Sequence, residues 1–392
     1  MKEVYIVSMA RTPNGSFGGG LSSLKAIDLG AIVIKEAVKR AGIEAVQVDE
    51  VFMGNVLQAN TGQAPARQAA IKAGIPYNVP CTAVNKVCAS GMKAIMFGAQ
   101  AIALGDQEVV VCGGMESMSN APFMVENARF GIKYGNQTFI DTIVRDGLQD
   151  PYNGDMMGVC GDICATKYEF SREDQDNYAI ESYKRAAAAT ENGWFKDEIV
   201  PVEIPQRKGD PKIVDKDEDF SKVSYDKVPL LRPAFGKEGT VTAANASNLN
   251  DGAAALVLMS GEKMEELGVT PIARILSYAD AAQEPVDFTT TPSLAIPKAL
   301  VKAGLSIDQI DLFEINEAFA VVALANMKLL HIEHEQTNVF GGGVSIGHPI
   351  GVSGARIVCT LISALRQKQK NKGAAGICNG GGGASAMVLE LV

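Results

Sequence analysis

The fold of this chain is indicated by Val48-Asp49-Glu50-Val51-Phe52-Met53-Gly54-Asn55, an apolar stretch that predicts a strand ending at Gly-Asn. A helical pattern that ends in Lys39-Arg40-Ala41-Gly42-Ile43 precedes it. The second half of the chain repeats this order, since Val301-Lys302-Ala303-Gly304-Leu305 precedes Ile310-Asp311-Leu312-Phe313-Glu314-Ile315-Asn316. The repeat indicates two copies of one structural unit.

A second pair of segments matches in the same order. Ser90-Gly91 begins a predicted helix that leads to a strand ending in Cys112-Gly113-Gly114, and Ser353-Gly354 begins one that leads to Ile377-Cys378-Asn379-Gly380-Gly381. Two matches in register favour duplication around a pseudo-twofold axis over chance similarity between α/β units. A site where the halves meet would draw residues from both.

The domain organisation follows from length and pattern. A chain of 392 residues exceeds the size of one ordinary hydrophobic core. Short apolar strands alternate with amphipathic helices at both ends, which is typical of layered α/β structure. We predict an N-terminal half at 1–118, completed by about 238–270, a C-terminal half at 271–392, and an inserted domain at 119–237 with a basic loop at 207–212.

Composition narrows the class of protein. The net charge of −9 argues against a broad nucleic-acid-binding surface. Seven scattered cysteines lack the spacing of a disulfide framework and favour a reducing compartment. We find no signal peptide and no apolar run that we expect to cross a membrane, so we expect a cytoplasmic location without membrane attachment, although an import sequence removed from a mature organellar form would leave the same chain.

Cys88 is the first candidate for chemistry. Small residues surround it in Asn85-Lys86-Val87-Cys88-Ala89-Ser90-Gly91, just before a predicted helix. Free N–H groups at a helix start favour thiolate, so we expect a lowered pKa for Cys88. The alternative is a small buried structural residue.

Two stretches of the C-terminal third offer partners for this thiol. His348 lies in the glycine-rich segment 341–351, where imidazole could activate a thiol, and a structural turn is the alternative. Cys378 precedes Asn379-Gly380-Gly381-Gly382-Gly383, whose backbone N–H groups could form an oxyanion hole. We interpret Cys378 as a proton-transfer partner rather than half of a disulfide, and Asn316 as an amide that could orient a water or a carbonyl.

With these pieces in order, the chain resembles the thiolase superfamily over its whole length. The matching stretches are 85–91, 113–119, 239–247, 250–253, 316–319, 341–351 and 378–383. Within the superfamily it is most similar to the potassium-activated mitochondrial-type acetoacetyl-CoA thiolases and their bacterial relatives. The resemblance implies two duplicated βαβαβαββ-type halves in a five-layered α-β-α-β-α core, an inserted loop domain, and a homodimer or homotetramer.

The resemblance also implies roles for the residues singled out above. Cys88 would carry the acyl group as a thioester, His348 would activate Cys88, and Cys378 would move the proton of the acetyl-CoA methyl group. Asn316, through a water, and His348 would form one oxyanion hole. The backbone N–H groups of Cys88 and Gly380 would form the other. Coenzyme A would be a substrate, and no prosthetic group is implied.

Binding sites are implied in the same way. The residues that would contact acyl-CoA or CoA are Lys222, Val223, Ser224, Lys227, Ser247, Met156, Phe235, Phe288 and Phe319. A potassium ion would be held by oxygens of Tyr183, Ala243, Ala244, Ala246 and Val344. The chain departs from the family at Met156, where short-chain members have histidine, and at Thr289, where a proline normally follows Phe288.

The implied activity is an acetyl-CoA C-acetyltransferase that acts on short, including 2-methyl-branched, 3-ketoacyl-CoA. Alternatives are a broader-range 3-ketoacyl-CoA thiolase of fatty-acid β-oxidation, a decarboxylating condensing enzyme and a non-catalytic acyl-CoA-binding protein. The pairs Cys160 with Cys164 and His331 with His334 have spacings that suit one helical face, but neither pair has further ligands nearby in sequence. We expect core thiols and surface imidazoles there.

Overall fold

The computed structural model describes residues 2–392, and its regular elements alternate between strand and helix. The elements before the middle segment are β1 (Val4–Arg11), β2 (Gly15–Ser16), α1 (Ala26–Arg40), β3 (Glu50–Gly54), α2 (Pro65–Lys72), β4 (Cys81–Val84), α3 (Ser90–Leu104) and β5 (Val109–Ser117). The middle segment contains β6 (Phe123–Met124), β7 (Ile140–Asp141), α4 (Met157–Lys167), α5 (Arg172–Glu191), β8 (Val202–Ile204) and β9 (Lys212–Val214). The remaining elements are β10 (Asn250–Ser260), α6 (Gly261–Leu267), β11 (Ala273–Ala282), α7 (Pro292–Ala303), β12 (Leu312–Ile315), α8 (Ala320–Leu330), α9 (Gly343–Ile346), α10 (Ser353–Lys368), β13 (Lys372–Asn379) and β14 (Gly383–Leu391).

One hydrogen-bonded sheet runs through both halves in the order β12-β13-β14-β11-β1-β10-β5-β3-β4, with β2 beside β10. The halves join where β1 meets β11, through the pairs Tyr5 with Arg274 and Ile6 with Ala273. In the first half β3 is parallel to β4 and β5, while β10 is antiparallel to β5 and β1. In the second half β12 is parallel to β13, while β14 is antiparallel to β13 and β11. The order and directions of β1, β10, β5 and β3 therefore repeat in β11, β14, β13 and β12, which confirms the predicted duplication.

The repeat extends to a side-chain hydrogen bond. The register of β1 shifts just before Ser8, and that of β11 shifts just before Ser277. The Ser8 hydroxyl donates to the carbonyl of Ala37 on α1 at 2.7 Å, and the Ser277 hydroxyl donates to that of Ala299 on α7 at 2.6 Å. Each β-bulge thus aims a serine at the helix that covers its half.

The helices form three layers around the two halves of the sheet. Buried residues of α1 and α2 pack against the first half, and those of α7 and α8 pack against the second. The central helices α3 and α10 contact strands of both halves, and Ser353 to Leu365 of α10 is buried throughout. All residues of β5 and β10 are also buried, since helices cover both faces there. The arrangement is the predicted five-layered core.

One segment, Val87–Leu104, is long and apolar enough by composition to cross a bilayer. We did not expect an apolar run of this length from the sequence. The segment contains α3, and 56% of it is buried inside the fold. Its apolar character follows from its place in the central layer, where both sides meet other elements.

Candidate active site

The loop between β4 and α3 presents Cys88 at a strained turn. Val87 has a φ of +47°, a left-handed conformation that is costly for a β-branched residue. Ser90 supports the turn, because its hydroxyl donates to the Val87 carbonyl at 2.6 Å and accepts from the Lys86 N–H at 2.8 Å. Strain of this kind persists only where neighbouring contacts fix the backbone, as they do here beside the thiol.

A second contact ties this loop to the other half. The Lys86 ammonium donates to the Ser385 hydroxyl at 2.8 Å and the Ala384 carbonyl at 3.2 Å, and it forms an ion pair with Asp280 at 2.5 Å. Burial raises the pKa of Asp280, but hydrogen bonds from Lys86, Lys93 and Ser385 outweigh this and hold it at about 2. The loop carrying Cys88 is therefore anchored on β11 and β14.

The thiol of Cys88 is buried and protonated at rest. Burial raises its pKa to about 12, although the backbone N–H groups of Gly380 and Cys88 itself act in the opposite direction. The nearby carboxylate of Glu116 raises it further. Our expectation of a lowered pKa is therefore wrong, because loss of solvent outweighs the donors at the turn.

His348 lies in the loop between α9 and α10 and is held at both its backbone and its ring. Its N–H donates to Asn250 Oδ1 at 2.8 Å, and its Nδ1 lies 2.6 Å from the Ser353 hydroxyl. That hydroxyl donates to the Pro349 carbonyl at 3.1 Å, so we assign the shared hydrogen to Nδ1. The other ring nitrogen, Nε2, is then an acceptor, and it is buried without a partner among residues 2–392.

The imidazole of His348 is neutral at physiological pH. Burial lowers its pKa to about 3, and the positive charge of Arg356 acts in the same direction. A neutral ring with a free Nε2 is the form that can take a proton from a thiol.

Cys378 occupies the end of β13 and is fully buried. Burial raises its pKa well above the usual value, and its proximity to Cys88 contributes in the same direction. It packs in an apolar cluster with Phe288 and Phe319. The structure therefore brings the two thiols, one from each half, close enough for their charges to interact.

Asn316 follows β12, and its amide is available for a ligand. Its backbone N–H donates to the Gly376 carbonyl at 2.9 Å, next to the end of β13. Both polar atoms of its side chain are buried and make no hydrogen bond within the described residues. Buried amides are normally satisfied, so this one is suited to bind water or substrate.

A cavity of about 300 Å³ lies beside His348. Its walls include His348 and the predicted Met156, Phe235, Ser247 and Phe319, together with Ala243 and Ala246. Sequence reasoning missed other wall residues, whose aliphatic or thioether side chains have no chemical signature: Met118, Leu148, Met157, Leu249 and Ile350. Phe288 does not line the cavity; it is buried in the same apolar cluster as Phe319.

The residues predicted to hold the nucleotide lie apart from the cavity walls. Lys222, Ser224 and Lys227 are exposed and Val223 is half-buried. The Lys222 ammonium lies 3.6 Å from Asp219 and also contacts the hydroxyl of Ser16. This charge is therefore partly paired within the chain.

The residues predicted to hold potassium belong to three parts of the fold: α5, α9 and the turn at 243–246. Tyr183 is a buried residue of α5, Val344 belongs to α9, and both pack in one apolar cluster. The turn at 243–246 is held by Asn245, which accepts from the Thr242 N–H at 2.7 Å and donates to Asp176 at 2.9 Å. Hydroxyl and carbonyl oxygens are donors that suit a hard cation.

The two pairs with metal-like spacing do not form a site. Within residues 2–392 no group of three His, Cys, Asp or Glu side chains could hold a metal ion. Cys160 and Cys164 are buried thiols on α4. His331 and His334 do not share a helical face, because His331 ends α8 in a left-handed conformation and His334 stacks on Tyr178.

Family models cover nearly all of the chain. The model described as "Thiolase, N-terminal domain" matches residues 4–262, and "Thiolase, C-terminal domain" matches residues 269–391. The chain belongs to the thiolase family. This thiolase is 58% identical to a probable acetyl-CoA acetyltransferase of Dictyostelium discoideum over all of its own length and 94% of the relative's.

Two solved structures share its fold over its full length. One is the Acat5 thiolase from Ascaris suum in complex with coenzyme A, with 48% identity, 100% of both chains covered and a TM-score of 0.95. The other is the Bacillus anthracis acetyl-CoA acetyltransferase, with 42% identity, 99% of that chain covered and a TM-score of 0.97.

Proposed function

We propose that this thiolase is an acetyl-CoA C-acetyltransferase that interconverts two molecules of acetyl-CoA with acetoacetyl-CoA and free CoA. The observation that carries the proposal is a neutral imidazole with a free Nε2, together with two buried thiols from opposite halves that lie close to each other. The names of the relatives, acetyl-CoA acetyltransferases at 53–58% identity, support the same reaction. A protein that only bound acyl-CoA would need none of these three side chains.

In thiolysis, the proton of the Cys88 thiol passes to His348 Nε2 and the sulfur attacks the 3-keto carbon of acetoacetyl-CoA. The bond between C2 and C3 breaks, and the Cys378 thiol protonates the departing acetyl-CoA carbanion. CoA then gives its thiol proton to the Cys378 thiolate and attacks the acetyl group on Cys88. The released Cys88 thiolate recovers its proton from His348, and condensation follows the reverse path.

Two sets of donors would stabilise the oxyanions. The N–H groups of Cys88 and Gly380 already point at the Cys88 sulfur, so a carbonyl oxygen on that sulfur would lie beside them. His348 Nε2, and Asn316 through a water, would serve the enolate oxygen. In well-studied enzymes, the removal of one such donor raises the barrier by about 3 kcal/mol.

The site for coenzyme A is proposed along the cavity and the inserted segment. Ser247, Met156, Phe235 and Phe319 line a narrow apolar passage suited to pantetheine. Lys222 and Lys227 would meet the phosphates at its outer end, with Val223 and Ser224 beside the nucleotide. The coenzyme A complex of the Ascaris suum thiolase supports this class of ligand.

We also propose a potassium site and a preference for short acyl chains. The oxygens of Tyr183, Ala243, Ala244, Ala246 and Val344 would hold potassium, which would stiffen the turn that forms one cavity wall. Met156 gives the cavity a thioether where short-chain relatives have histidine, and Phe288 is buried in the same apolar cluster as Phe319. We propose short acyl groups, and the broader-range thiolase is the alternative. A cytoplasmic homodimer or homotetramer completes the proposal.

Two cysteine variants test the division of labour. Cys88→Ala should form no acetyl adduct after rapid mixing with acetoacetyl-CoA, measured by intact mass. Cys378→Ala should still accept an acetyl group when it is supplied as a simple acetyl thioester, and it should fail to form acetoacetyl-CoA. Equal loss of both half-reactions in Cys378→Ala, or no adduct on the wild type, would contradict the proposal.

Substrate range and ion dependence need a second experiment. Thiolysis rates for acetoacetyl-, 2-methylacetoacetyl- and longer 3-ketoacyl-CoA are compared with potassium and with a bulky organic cation at equal ionic strength. We expect faster turnover of the short substrates and an increase that requires potassium. Equal rates across chain lengths would favour the broader-range enzyme, and consumption of malonyl thioesters without acetyl exchange would favour a decarboxylating enzyme.

A further inference from the structure

Glu116, near the end of β5, is a fully buried carboxylate that the reaction does not use. Its Oε2 accepts from the N–H of Gly351 at 2.9 Å and of Val56 at 3.0 Å. Its Oε1 accepts from the Asn55 amide at 2.8 Å and the Leu57 N–H at 3.2 Å. Burial raises its pKa to about 7, whereas these N–H groups favour the carboxylate.

The bond to Gly351 crosses between the halves at the loop that carries His348. Gly351 lies three residues after His348 and just before α10. Its carbonyl rests against Gly54 and Gly114, where an added Cβ would come within 2.6 Å and 2.1 Å of that oxygen. The loop therefore packs against two glycines that have no side chain to hold it. The hydrogen bond from Gly351 to Glu116 fixes its position there.

The contact between Glu116 and Gly351 can be compared with the equivalent positions in the other repeat. Since α3 begins at Ser90 and α10 at Ser353, Gly351 corresponds to Cys88. Likewise β5 and β13 begin at corresponding positions, so Glu116 corresponds to Asn379. In one half the N–H before the central helix is left for the substrate oxygen, and the neighbouring strand carries a short neutral amide. In the other half the equivalent N–H is already occupied by a carboxylate of the chain.

We propose that Glu116 is a positioning residue that holds the loop bearing His348 in place through the N–H of Gly351. This inference rests on the proposed function, because it assigns His348 to the transfer step. Of the two matched positions, Cys88 has an N–H that is open to a substrate oxygen. Gly351 has an N–H that is bonded to Glu116 and serves as a structural anchor. Loss of the anchor would displace the imidazole from Cys88 and leave the walls formed by Ser247, Met156 and Phe235 unchanged.

The test compares Glu116→Gln, Gly351→Ala and the double variant, with Ser117→Ala as control. Ser117 is the next residue of β5, and its hydroxyl bonds instead to Leu24 and Asp251. We expect Glu116→Gln to slow acetyl-adduct formation about tenfold or more with KM for acetoacetyl-CoA within about twofold, because small misplacements of catalytic groups cost rate. Gly351→Ala should be slow as well, since its Cβ would meet Glu116 Oε2 at 2.6 Å.

The double variant distinguishes positioning from general destabilisation. If both changes act on one loop, the double variant should be no slower than the slower single variant. Multiplying effects, a KM that rises as much as kcat falls, or a wild-type rate for Glu116→Gln would overturn the proposal. Should Glu116→Gln fail to fold, Glu116→Asp keeps the charge but withdraws it from Gly351, and a wild-type rate there would overturn it equally. An inactive wild type would instead refute the proposed function.

Discussion

At the scale of single residues, the site works with neutral groups. Burial raises the pKa of the Cys88 thiol to about 12 and lowers that of His348 to about 3, so neither carries charge at neutral pH. A thiolate–imidazolium pair in the resting protein would require a pKa for Cys88 below that of His348. In the proposed mechanism, proton transfer must therefore accompany substrate attack, when the oxyanion donors become engaged.

The pH dependence of alkylation follows from the raised pKa. An acid with a raised pKa stays protonated until the pH approaches that value, so the thiolate fraction of Cys88 should keep increasing through pH 10. We expect its alkylation rate by iodoacetamide, followed by peptide mass, to rise without a plateau between pH 6 and 10. A plateau near pH 7 to 8 would mean a thiolate stabilised at rest. Cys88→Ala provides the background rate from the other six cysteines.

The tautomer of His348 leads to a second prediction at this scale. Ser353→Ala removes the acceptor for Nδ1–H, and one such hydrogen bond is worth about 1 kcal/mol. We expect acetyl-adduct formation to slow by about fivefold, with melting temperature nearly unchanged. Ser363→Ala, on the same helix, is not a neutral control because its hydroxyl bonds to Glu198. Ser293→Ala, whose hydroxyl bonds only to a loop carbonyl, should retain the full rate.

At the scale of elements, each half supports the loop that the other contributes to the proposed site. The β4–α3 loop carrying Cys88 is tied through Lys86 to β11 and β14. The α9–α10 loop carrying His348 meets Glu116 on β5. The loops that carry the two proposed catalytic side chains are therefore each held by strands of the opposite repeat.

Lys86→Met tests the first of these ties. The variant retains an apolar stem and loses the bonds to Ser385, Ala384 and Asp280, each charge-assisted bond being worth about 1.5–3 kcal/mol at most. We expect acetyl transfer to Cys88 to slow about tenfold, measured by rapid quench and mass. The matched control is Lys93→Met, which removes the other lysine on Asp280 and should slow it less than twofold. If both variants slowed acetyl transfer equally, the effect would come from the charge balance at Asp280 and not from the tie to the loop.

At the scale of the whole molecule, a buried ion network joins three parts of the chain. Arg11 of β1 donates to Glu198 at 2.6 Å and to Asp217 at 2.7 Å, and both acids belong to the middle segment. Glu198 also accepts from Ser363 of α10 at 2.6 Å. Burial opposes the charge on Arg11, but the two carboxylates outweigh it and raise the pKa of the guanidinium.

Removal of one charge from this network should destabilise the fold. Glu198→Gln leaves Arg11 buried with one fewer counter-charge, which costs about 3 kcal/mol or more in comparable sites. We expect a clear fall in the urea midpoint, followed by fluorescence of the single tryptophan, Trp194. Glu266→Gln, in an exposed pair with Lys263, should leave the midpoint nearly unchanged. Similar midpoints for both variants would contradict the predicted loss of stability.

The sequence alone determined the repeat and the α/β layers, and it led to the reactive side chains that we propose. Glycines, strand periods and helix starts are local properties, so Ser90 and Ser353 could be predicted as helix starts from neighbouring residues. The motifs 85–91, 341–351 and 378–383 were sufficient for the family. Roles for Cys88, His348 and Cys378 followed from that resemblance.

Tertiary structure decided the protonation states, the cavity walls and the supports of the loops. The pKa of Cys88 depends on how completely distant segments exclude water, and the helix start by itself suggested the wrong direction. Met118, Leu148 and Ile350 are ordinary core residues in sequence and become cavity walls only when the two halves and the middle segment meet. Glu116 likewise has no local signature as a support for His348, because its partner Gly351 comes from the other repeat.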